Sequence, residues 1–279
     1  MATPAPAIVF TDLDGTLLNA RDYRYDAAIS VLDRLKAAGI PTIPVTSKTR
    51  AEVELLRSEI GLSDPFVVEN GSGIFIPEGD DRFPLETELR ADGYRIVQLG
   101  GSYQEARDRV SKLSAKLGVQ LCGFGDLAPE DIYGITGLAI DDAKLAQTRD
   151  FTEPFVTPHE FSSAEIATAA ESLGFHVVVG DRFSHAIDPK SGKGVAVETL
   201  IESYANAGQD LAIVGLGNSP NDLPMLEAVP QPIVIPDEAG EPHPGLAERV
   251  ALGWSLAPKY GCAGWALAVG EVLDKLGVP

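Results

Sequence analysis

The order of short apolar segments and amphipathic segments constrains the fold of this chain more than any other feature. A short apolar run at 7–11 is typical of a strand buried inside a parallel sheet. Helical spacing of apolar residues follows at 25–38, and the same strand–helix order is repeated at 40–45, 49–60 and 65–69. This alternation predicts an open parallel α/β sheet.

The middle of the chain has a different pattern. Residues 84–188 combine helix-like segments with short paired strands, which indicates a separate α+β module. The helix–strand order then resumes between 193 and 235. We therefore predict an α/β protein with a Rossmann-like parallel-sheet core, formed by residues 1–83 and 189–279, and an inserted α+β domain at 84–188.

The composition excludes several classes of partner. The chain has 279 residues and a formal net charge of -19, so a nucleic acid or an anionic membrane surface would meet no basic face. No apolar run approaches the ~18 residues of a membrane span, and the first residues lack the pattern of a signal peptide. Cys122 and Cys262 lie in unlike contexts, which favours reduced thiols. We expect a cytoplasmic monomer or homodimer whose partner is a small molecule.

Two carboxylates stand at the end of the first predicted strand, in the segment VFTDLDGTLL (residues 9–18). Burial of the Asp12 and Asp14 carboxylates costs free energy unless another group pairs with them. Gly15 then allows the backbone to turn. In open parallel sheets this edge is where ligands bind. A hard cation such as Mg²⁺ would neutralise the pair, because it prefers oxygen ligands and binds readily with phosphate. A pair of aspartates that cap a turn is the alternative.

The segment Asp12-Leu13-Asp14-Gly15-Thr16 resembles the DxDGT motif of the haloacid dehalogenase superfamily of phosphohydrolases. The resemblance implies that Asp12 attacks phosphorus and forms an aspartyl-phosphate. It implies that Asp14 protonates the leaving oxygen and later deprotonates a water molecule. It also implies that Asp12 and the backbone carbonyl of Asp14 hold Mg²⁺.

Three further segments resemble the remaining motifs of that superfamily and follow in the expected order. Thr46 matches the hydroxyl that donates a hydrogen bond to a phosphoryl oxygen, and Lys193 matches the lysine that pairs with nucleophile and phosphate. The segment GLGNSPND (215–222) is similar to the acidic loop GDxxND, which completes the metal site. Asn218 departs from this pattern, because the family usually has Asp at this position. Either Asn218 coordinates the metal through its carbonyl oxygen, or the metal is bound more weakly than is usual for the family. The implied metal ligands are Asp12, Asp14, Asn218 and Asp222.

The module at 84–188 lies where type II members of the superfamily carry an inserted α+β cap domain. Within that group the chain resembles the mannosyl-3-phosphoglycerate phosphatase family, through TSKT (46–49), ENG (69–71), RDFTEPF (149–155) and GDRFSH (180–185). The substrate of that family is a phosphorylated sugar compound that offers a phosphate, a carboxylate and several hydroxyls. The resemblance implies the following substrate-binding residues: Ser47, Lys48, Asn70, Arg149, Glu153, Arg182, His185 and Asn221.

Several alternatives remain open at this level. Arg149 and Arg182 are expected to meet the anionic groups of the substrate, because Arg suits bidentate contacts with a carboxylate. Arg149 and Glu153 are four residues apart, so a local surface ion pair is the alternative for both. Glucosyl-3-phosphoglycerate and sucrose phosphate are alternative substrates. A sugar-phosphate binding protein with weak catalysis is the alternative outside enzymes.

Overall fold

The computed structural model describes residues 7–179, 183–205 and 211–279. None of the helices in these ranges combines the length and the apolarity that a membrane span needs.

The described strands are β1 (Ala7–Thr11), β2 (Thr42–Pro44), β3 (Phe66–Val68), β4 (Gly73–Pro77), β5 (Arg90–Ala91), β6 (Tyr94–Gln98), β7 (Glu153–Val156), β8 (His176–Val179), β9 (Phe183–Ile187), β10 (Ala212–Gly217), β11 (Gln231–Val234) and β12 (Ser255–Leu256). The described α-helices are α1 (Ile29–Ala37), α2 (Arg50–Ile60), α3 (Tyr103–Leu117), α4 (Pro129–Thr136), α5 (Ile140–Gln147), α6 (Ser163–Glu171), α7 (Lys193–Ser203), α8 (Leu223–Glu227), α9 (Pro244–Ala251) and α10 (Gly261–Lys275).

The central sheet has the strand order β12-β11-β10-β1-β2, and its neighbouring strands are parallel. β1 lies in the interior of this sheet, with Thr11 opposite Pro44 of β2 on one side and Leu216 of β10 on the other. Parallel sheets are covered on both faces, which explains why every residue of β1 is buried. The predicted α/β fold with a parallel sheet is confirmed.

Alternate side chains of β1 point into two separate hydrophobic cores. Ala7 and Val9 pack with apolar residues of α1 and α10 on one face of the sheet. Ile8 and Phe10 pack with residues of α7 and α8 on the other face. Successive side chains of a strand point to opposite faces, so a continuously apolar strand needs helices on both sides. This two-sided covering leaves the carboxyl edge of the sheet as the place where polar groups can gather.

A second sheet, with the order β3-β4-β6-β5, adjoins the central sheet and is antiparallel. An isolated parallel bridge between Val45 and Val67 connects the two sheets. Residues 90–98 therefore hydrogen-bond to a hairpin of the predicted core, although the predicted boundary assigns them to the inserted domain. The domain division stays a prediction, and this pairing favours a first boundary after residue 98.

The inserted domain contains a third sheet, with the antiparallel order β7-β9-β8. Phe155 and Ala186 face α3 and α6, where they pack with Ile166. Phe183 packs against α4 and α5 from the opposite face. Because side chains alternate along a strand, His185 of β9 shares the face of Phe183 and points away from α3 and α6.

Candidate active site

The carboxyl ends of β1, β2 and β10 meet at one edge of the central sheet, as expected for neighbouring parallel strands. Asp12 follows β1 directly, and its N–H donates to the carbonyl oxygen of Leu216 in β10 at 2.9 Å. Gly15 then turns the chain with a φ of 79°, in the left-handed region that favours glycine. Thr46 follows β2 and is buried, and its N–H donates to Val67 at 3.1 Å. The first two motifs therefore lie at the same edge.

Lys193, the first residue of α7, joins two carboxylates at this edge. Its Nζ atom lies 2.7 Å from Asp12 Oδ1 and 2.6 Å from Asp222 Oδ1. Lys193 is 2% exposed, Asp12 6% and Asp222 0%. Charge-assisted hydrogen bonds stabilise this arrangement, and the loss of any member would leave an unpaired buried charge. We call Asp12, Lys193 and Asp222 the buried ion triad.

The surroundings shift the pKa of two members of the triad. Burial and the Asp222 carboxylate raise the pKa of Asp12 to about 7, although Lys193 acts in the opposite direction. Burial alone would lower the pKa of the Lys193 ammonium, but the carboxylates of Asp12 and Asp222 raise it above its ordinary value. Lys193 therefore stays protonated, and a further positive charge beside Asp12 would favour the ionised carboxylate.

Asp222 uses both of its carboxylate oxygens within the protein. Oδ1 pairs with Lys193, and Oδ2 accepts from the backbone N–H groups of Asn218 at 2.9 Å and Ser219 at 3.0 Å. Gly217 allows this close approach, because a Cβ atom there would lie 2.5 Å from Asp222 Cβ. Asp222 thus orients Lys193 and the loop 218–222. This geometry does not support the prediction that Asp222 is a metal ligand.

The oxygen donors available for a metal ion include the Asp12 carboxylate, Asn218 Oδ1 and Asp14 Oδ1, which is buried with no hydrogen-bond partner among the described residues. The resemblance adds the Asp14 backbone carbonyl. Asn218 Oδ1 accepts from Thr16 Oγ1 at 3.3 Å, and a Cβ atom on Gly15 would lie 2.3 Å from Asn218 Nδ2. Across the described ranges, no three His, Cys, Asp or Glu side chains group around a metal position. A metal site here would therefore combine a carboxylate with neutral carbonyl oxygens, and hard oxygen donors suit Mg²⁺.

Lys48 contacts the second motif carboxylate. Its Nζ atom lies 3.0 Å from Asp14 Oδ2, 3.6 Å from Glu52 Oε1 and 5.3 Å from the centroid of the Tyr23 ring. Burial would lower the pKa of Lys48, but the carboxylates of Asp14 and Glu52 raise it. Sequence reasoning missed Glu52, although Thr49 and Glu52 have the spacing of a capping box and form one at the start of α2.

A cavity of about 470 Å³ lies beside this edge, between the core and the inserted domain. Its lining includes Ser47, Asn70, Asn218 and Asn221 from the core and His185 from the inserted domain. Asn221 Nδ2 donates to Asn70 Oδ1 at 3.3 Å, and Asn70 Nδ2 is buried with no hydrogen-bond partner among the described residues. A volume in the range of about 300–1,000 Å³ with a few convergent polar groups suits a small polar ligand.

His185 presents a neutral imidazole to this cavity. Burial lowers the pKa of His185 to about 3, and the positive charges of Arg149 and Lys193 act in the same direction. Its Nδ1 atom is buried and has no hydrogen-bond partner within the described part of the chain. A neutral imidazole offers one donor and one acceptor, which suits the hydroxyl groups of a sugar.

Arg149 is buried beneath the inserted domain and is not among the described residues that line the cavity. Its Nη2 donates to the Ser47 carbonyl at 3.0 Å and its Nε to the Thr152 carbonyl at 2.9 Å. Its ion pair is with Glu69, at 3.3 Å between Nε and Oε2. Arg149 therefore forms no surface pair with Glu153, which contacts Arg107 instead. These contacts do not support the predicted substrate role of Arg149, which stays a prediction. Arg182, the second predicted anion-binding arginine, lies outside the described residues.

Glu153 faces α3 and not the cavity. The register pairs Glu153 with Ala186, so both side chains lie on the α3 side of the sheet. Glu153 Oε1 accepts from the Gly125 N–H at 2.9 Å and lies 3.3 Å from Arg107 Nη1. Burial and the hydrogen bond to Glu153 raise the pKa of Tyr103 to about 12. Glu153 Oε1 therefore links elements of the inserted domain. This geometry does not support the predicted contact of Glu153 with a sugar hydroxyl, which stays a prediction.

Sequence reasoning assigned no role to Glu69, the first residue of the ENG segment. Glu69 is fully buried, and Glu69 and Asn70 have φ values of 51° and 57°. The Glu69 carboxylate accepts hydrogen bonds from the backbone of residues 150–152. The signal was present in the motif, because a carboxylate directly after a buried strand needs a partner.

Comparison with known proteins agrees with this geometry. The family model described as haloacid dehalogenase-like hydrolase matches residues 9–91. A glucosyl-3-phosphoglycerate/mannosyl-3-phosphoglycerate phosphatase from Persephonella marina is 40% identical over 271 residues, which cover 96% of this chain and 98% of that protein. The chain belongs to the mannosyl-3-phosphoglycerate phosphatase family. A mannosyl-3-phosphoglycerate phosphatase from Pyrococcus horikoshii is 33% identical over 229 residues, 82% of this chain and 90% of that protein.

A solved structure shares the fold of the whole chain. The haloacid dehalogenase subclass IIB sugar phosphatase BT4131 superimposes with a TM-score of 0.65 at 15% identity, over 98% of this chain and 100% of that one. The likeness confirms a Rossmann-like core with an inserted cap, and the inserted domain is called the cap from here on. The relatives named above are phosphatases, and membership of their family makes the chain a phosphoric monoester hydrolase.

The buried ion triad predicts a specific pattern of stability changes. Lys193→Met leaves two buried carboxylates without a counter-ion and should lower the free energy of unfolding by about 3–5 kcal/mol. Adding Asp222→Asn to that variant removes one of the two charges and should restore part of the loss, while activity stays absent. Urea denaturation measures both effects, with the exposed Lys190→Met as the matched control. Equal stabilities of the single and double variants would show that the triad is not coupled.

Proposed function

We propose that this enzyme hydrolyses mannosyl-3-phosphoglycerate to mannosylglycerate and phosphate through an aspartyl-phosphate on Asp12. The observation that carries the proposal is the position of the buried ion triad beside a cavity with walls from both core and cap. The names of the relatives support the choice of sugar. Glucosyl-3-phosphoglycerate is the second candidate, because the Persephonella marina relative is named for both substrates.

In the first step a carboxylate oxygen of Asp12 attacks phosphorus, and the bond between phosphorus and the glycerate oxygen breaks. Asp14 donates a proton to the departing oxygen, so the leaving group is a neutral alcohol. Lys193, 2.7 Å from Asp12, orients the nucleophile and offsets the negative charge of the phosphoryl group. The Thr46 hydroxyl donates a hydrogen bond to a phosphoryl oxygen.

In the second step a water molecule attacks the phosphorus of the aspartyl-phosphate. Asp14, now ionised, takes a proton from this water, and the bond between phosphorus and the Asp12 oxygen breaks. Phosphate leaves, the Asp12 carboxylate is regenerated and Asp14 is again protonated. Lys48, 3.0 Å from Asp14 Oδ2, keeps that side chain oriented between the two steps.

The donor set beside Asp12 fits Mg²⁺. The Asp12 carboxylate, the Asp14 carbonyl and Asn218 Oδ1 would hold the ion, and all three are hard oxygen donors. When bound, the ion offsets the repulsion between the Asp12 carboxylate and the phosphate. The buried ion triad, with two carboxylates and one ammonium, has a net negative charge that such an ion would balance.

The cavity would receive the rest of the substrate. Asn70, Asn221 and His185 line it, and the buried Asn70 Nδ2 and His185 Nδ1 atoms lack partners among the described residues. Sugar hydroxyls can both donate and accept, so they would satisfy these groups. Lys48 lines a neighbouring cavity of about 190 Å³ and not this one, so its contact with the glycerate carboxylate stays a prediction.

A panel of phosphorylated compounds tests the substrate. With Mg²⁺ present, we expect phosphate release from mannosyl-3-phosphoglycerate with a kcat/KM about a hundredfold above that for sucrose phosphate, since one or two added charge contacts have this effect. Asp12→Asn should lose several orders of magnitude of rate while its circular dichroism stays unchanged. A preference for sucrose phosphate, or more than a few per cent of activity in Asp12→Asn, would contradict the proposal.

Asn218 predicts a measurable weakness in metal binding. Asn218→Asp adds a negative charge to the proposed donor set and should lower the Mg²⁺ concentration that gives half-maximal activity. Calorimetric titration with Mg²⁺ alone should show that Asn218→Asp binds Mg²⁺ more tightly than the wild type. Gln231→Glu, which adds the same charge at the exposed first residue of β11, is the matched control. If the wild-type and Asn218→Asp curves coincide, position 218 does not contact the metal.

A further inference from the structure

A segment of the cap, Arg149–Thr152, packs against the core, and we call it the anchor segment. Arg149, Phe151 and Thr152 are buried, whereas Asp150 is exposed. Phe151 is 6% exposed and belongs to the hydrophobic core that includes Val9 and Phe75. A Cβ atom on Gly73 would lie 2.3 Å from the Phe151 ring, so glycine is required where the ring meets β4. The cap is therefore joined to the core by packed side chains as well as by its chain connections.

Glu69 of the core binds the backbone of the anchor segment. Its carboxylate accepts from the N–H groups of Asp150 at 2.8 Å, Phe151 at 3.2 Å and Thr152 at 2.7 Å. The Thr152 hydroxyl donates a fourth hydrogen bond to Glu69, at 2.8 Å. A fully buried carboxylate that already accepts from these groups is not available to bind substrate.

The contacts of Glu69 continue into the loop that holds the phosphoryl group. Arg149 pairs with Glu69 at 3.3 Å and donates to the carbonyl of Ser47 at 3.0 Å. On the other side, the N–H of Asn70 donates to the Thr46 carbonyl at 2.9 Å. The cap segment, the ENG loop and the Thr46 loop are thus hydrogen-bonded into one buried unit.

We propose that Glu69 is a positioning residue that sets the place of the cap over the phosphoryl site through the anchor segment. The cap groups that would contact the leaving group are then held in line with the phosphoryl site. The inference depends on the proposed function for the identity of the leaving group.

This role has distinct consequences for large and small substrates. A sugar phosphoglycerate has to contact core and cap together, whereas p-nitrophenyl phosphate needs only the residues of the core. Loss of the Glu69 contacts should therefore lower kcat/KM for the sugar phosphoglycerate and leave kcat/KM for p-nitrophenyl phosphate nearly unchanged. Substitution of a residue needed only for folding would lower kcat/KM for both substrates.

The test compares Glu69→Gln with the wild-type enzyme. An amide at position 69 puts a donor where backbone N–H groups need an acceptor, so the bond network of the anchor segment should fail. We expect kcat/KM for mannosyl-3-phosphoglycerate to fall by about tenfold to a hundredfold, and that for p-nitrophenyl phosphate to change by less than about threefold. Hydrogen–deuterium exchange of the amides of 150–152 should quicken by at least about tenfold.

Two further variants make the comparison decisive. Thr152→Val removes one donor to Glu69 with little change in side-chain shape. It should lower kcat/KM for mannosyl-3-phosphoglycerate less than Glu69→Gln does, again with little change for p-nitrophenyl phosphate. Glu165→Gln is the matched control, because Glu165 also accepts from a backbone N–H in the cap, at 2.8 Å, but at an exposed helix start. Its two activities and the exchange at 150–152 should equal those of the wild type.

Two results would overturn the inference. One is unchanged amide exchange at 150–152 in Glu69→Gln, which needs no substrate. The other is an equal loss on both substrates in Glu69→Gln and Thr152→Val. Failure of the proposed function is separate, because it appears as a wild-type enzyme that ignores mannosyl-3-phosphoglycerate. The activity comparison then uses the sugar phosphate that the wild type hydrolyses fastest.

Discussion

The ammonium of Lys193, buried between two carboxylates, is the interaction on which the rest of the site depends. Lys193 lies 181 positions after Asp12 in the chain, and removal of such charges from water costs several kcal/mol each. The surrounding structure compensates for this cost by holding every partner in place. Asp222 is fixed by the backbone of its own loop, and Asp12 by its hydrogen bond to β10. A parallel sheet covered on both faces supplies the rigid edge that this geometry needs.

Buried contacts also position the groups that would recognise the leaving group. A core with a buried nucleophile can react with any phosphate ester, so selectivity has to come from a second surface. We propose that this surface is the cap, which Glu69 and Arg149 join to the loop after β2 through buried hydrogen bonds. The cavity between the two domains is then a consequence of fixed contacts on both sides, and His185 faces it as a neutral donor and acceptor.

The sequence predicted those parts of the structure that follow from local periodicity. Asp12 and Thr46 were expected to lie together because the carboxyl ends of parallel strands share one edge. The spacing of Arg149 and Glu153 could not reveal their partners, because Arg149 lies in the loop before β7 and the face that Glu153 occupies depends on strand register. Glu153 lies opposite Ala186 and so faces α3. The surroundings of Asp222 were hidden from the sequence for a related reason, since only the fold shows that Lys193 and two backbone N–H groups contact its oxygens.

Transfer of the phosphoryl group to Asp12 is tested most directly by trapping it. In an Asp14→Ala variant the second step lacks its base, whereas p-nitrophenyl phosphate has a leaving group that needs no proton in the first step. Rapid mixing with this substrate should release p-nitrophenol in a burst equal to the enzyme concentration. Acid quenching and peptide mass spectrometry should then find the phosphoryl adduct on the peptide that contains Asp12. An adduct on a different residue, or steady turnover with neither burst nor adduct, would contradict this mechanism.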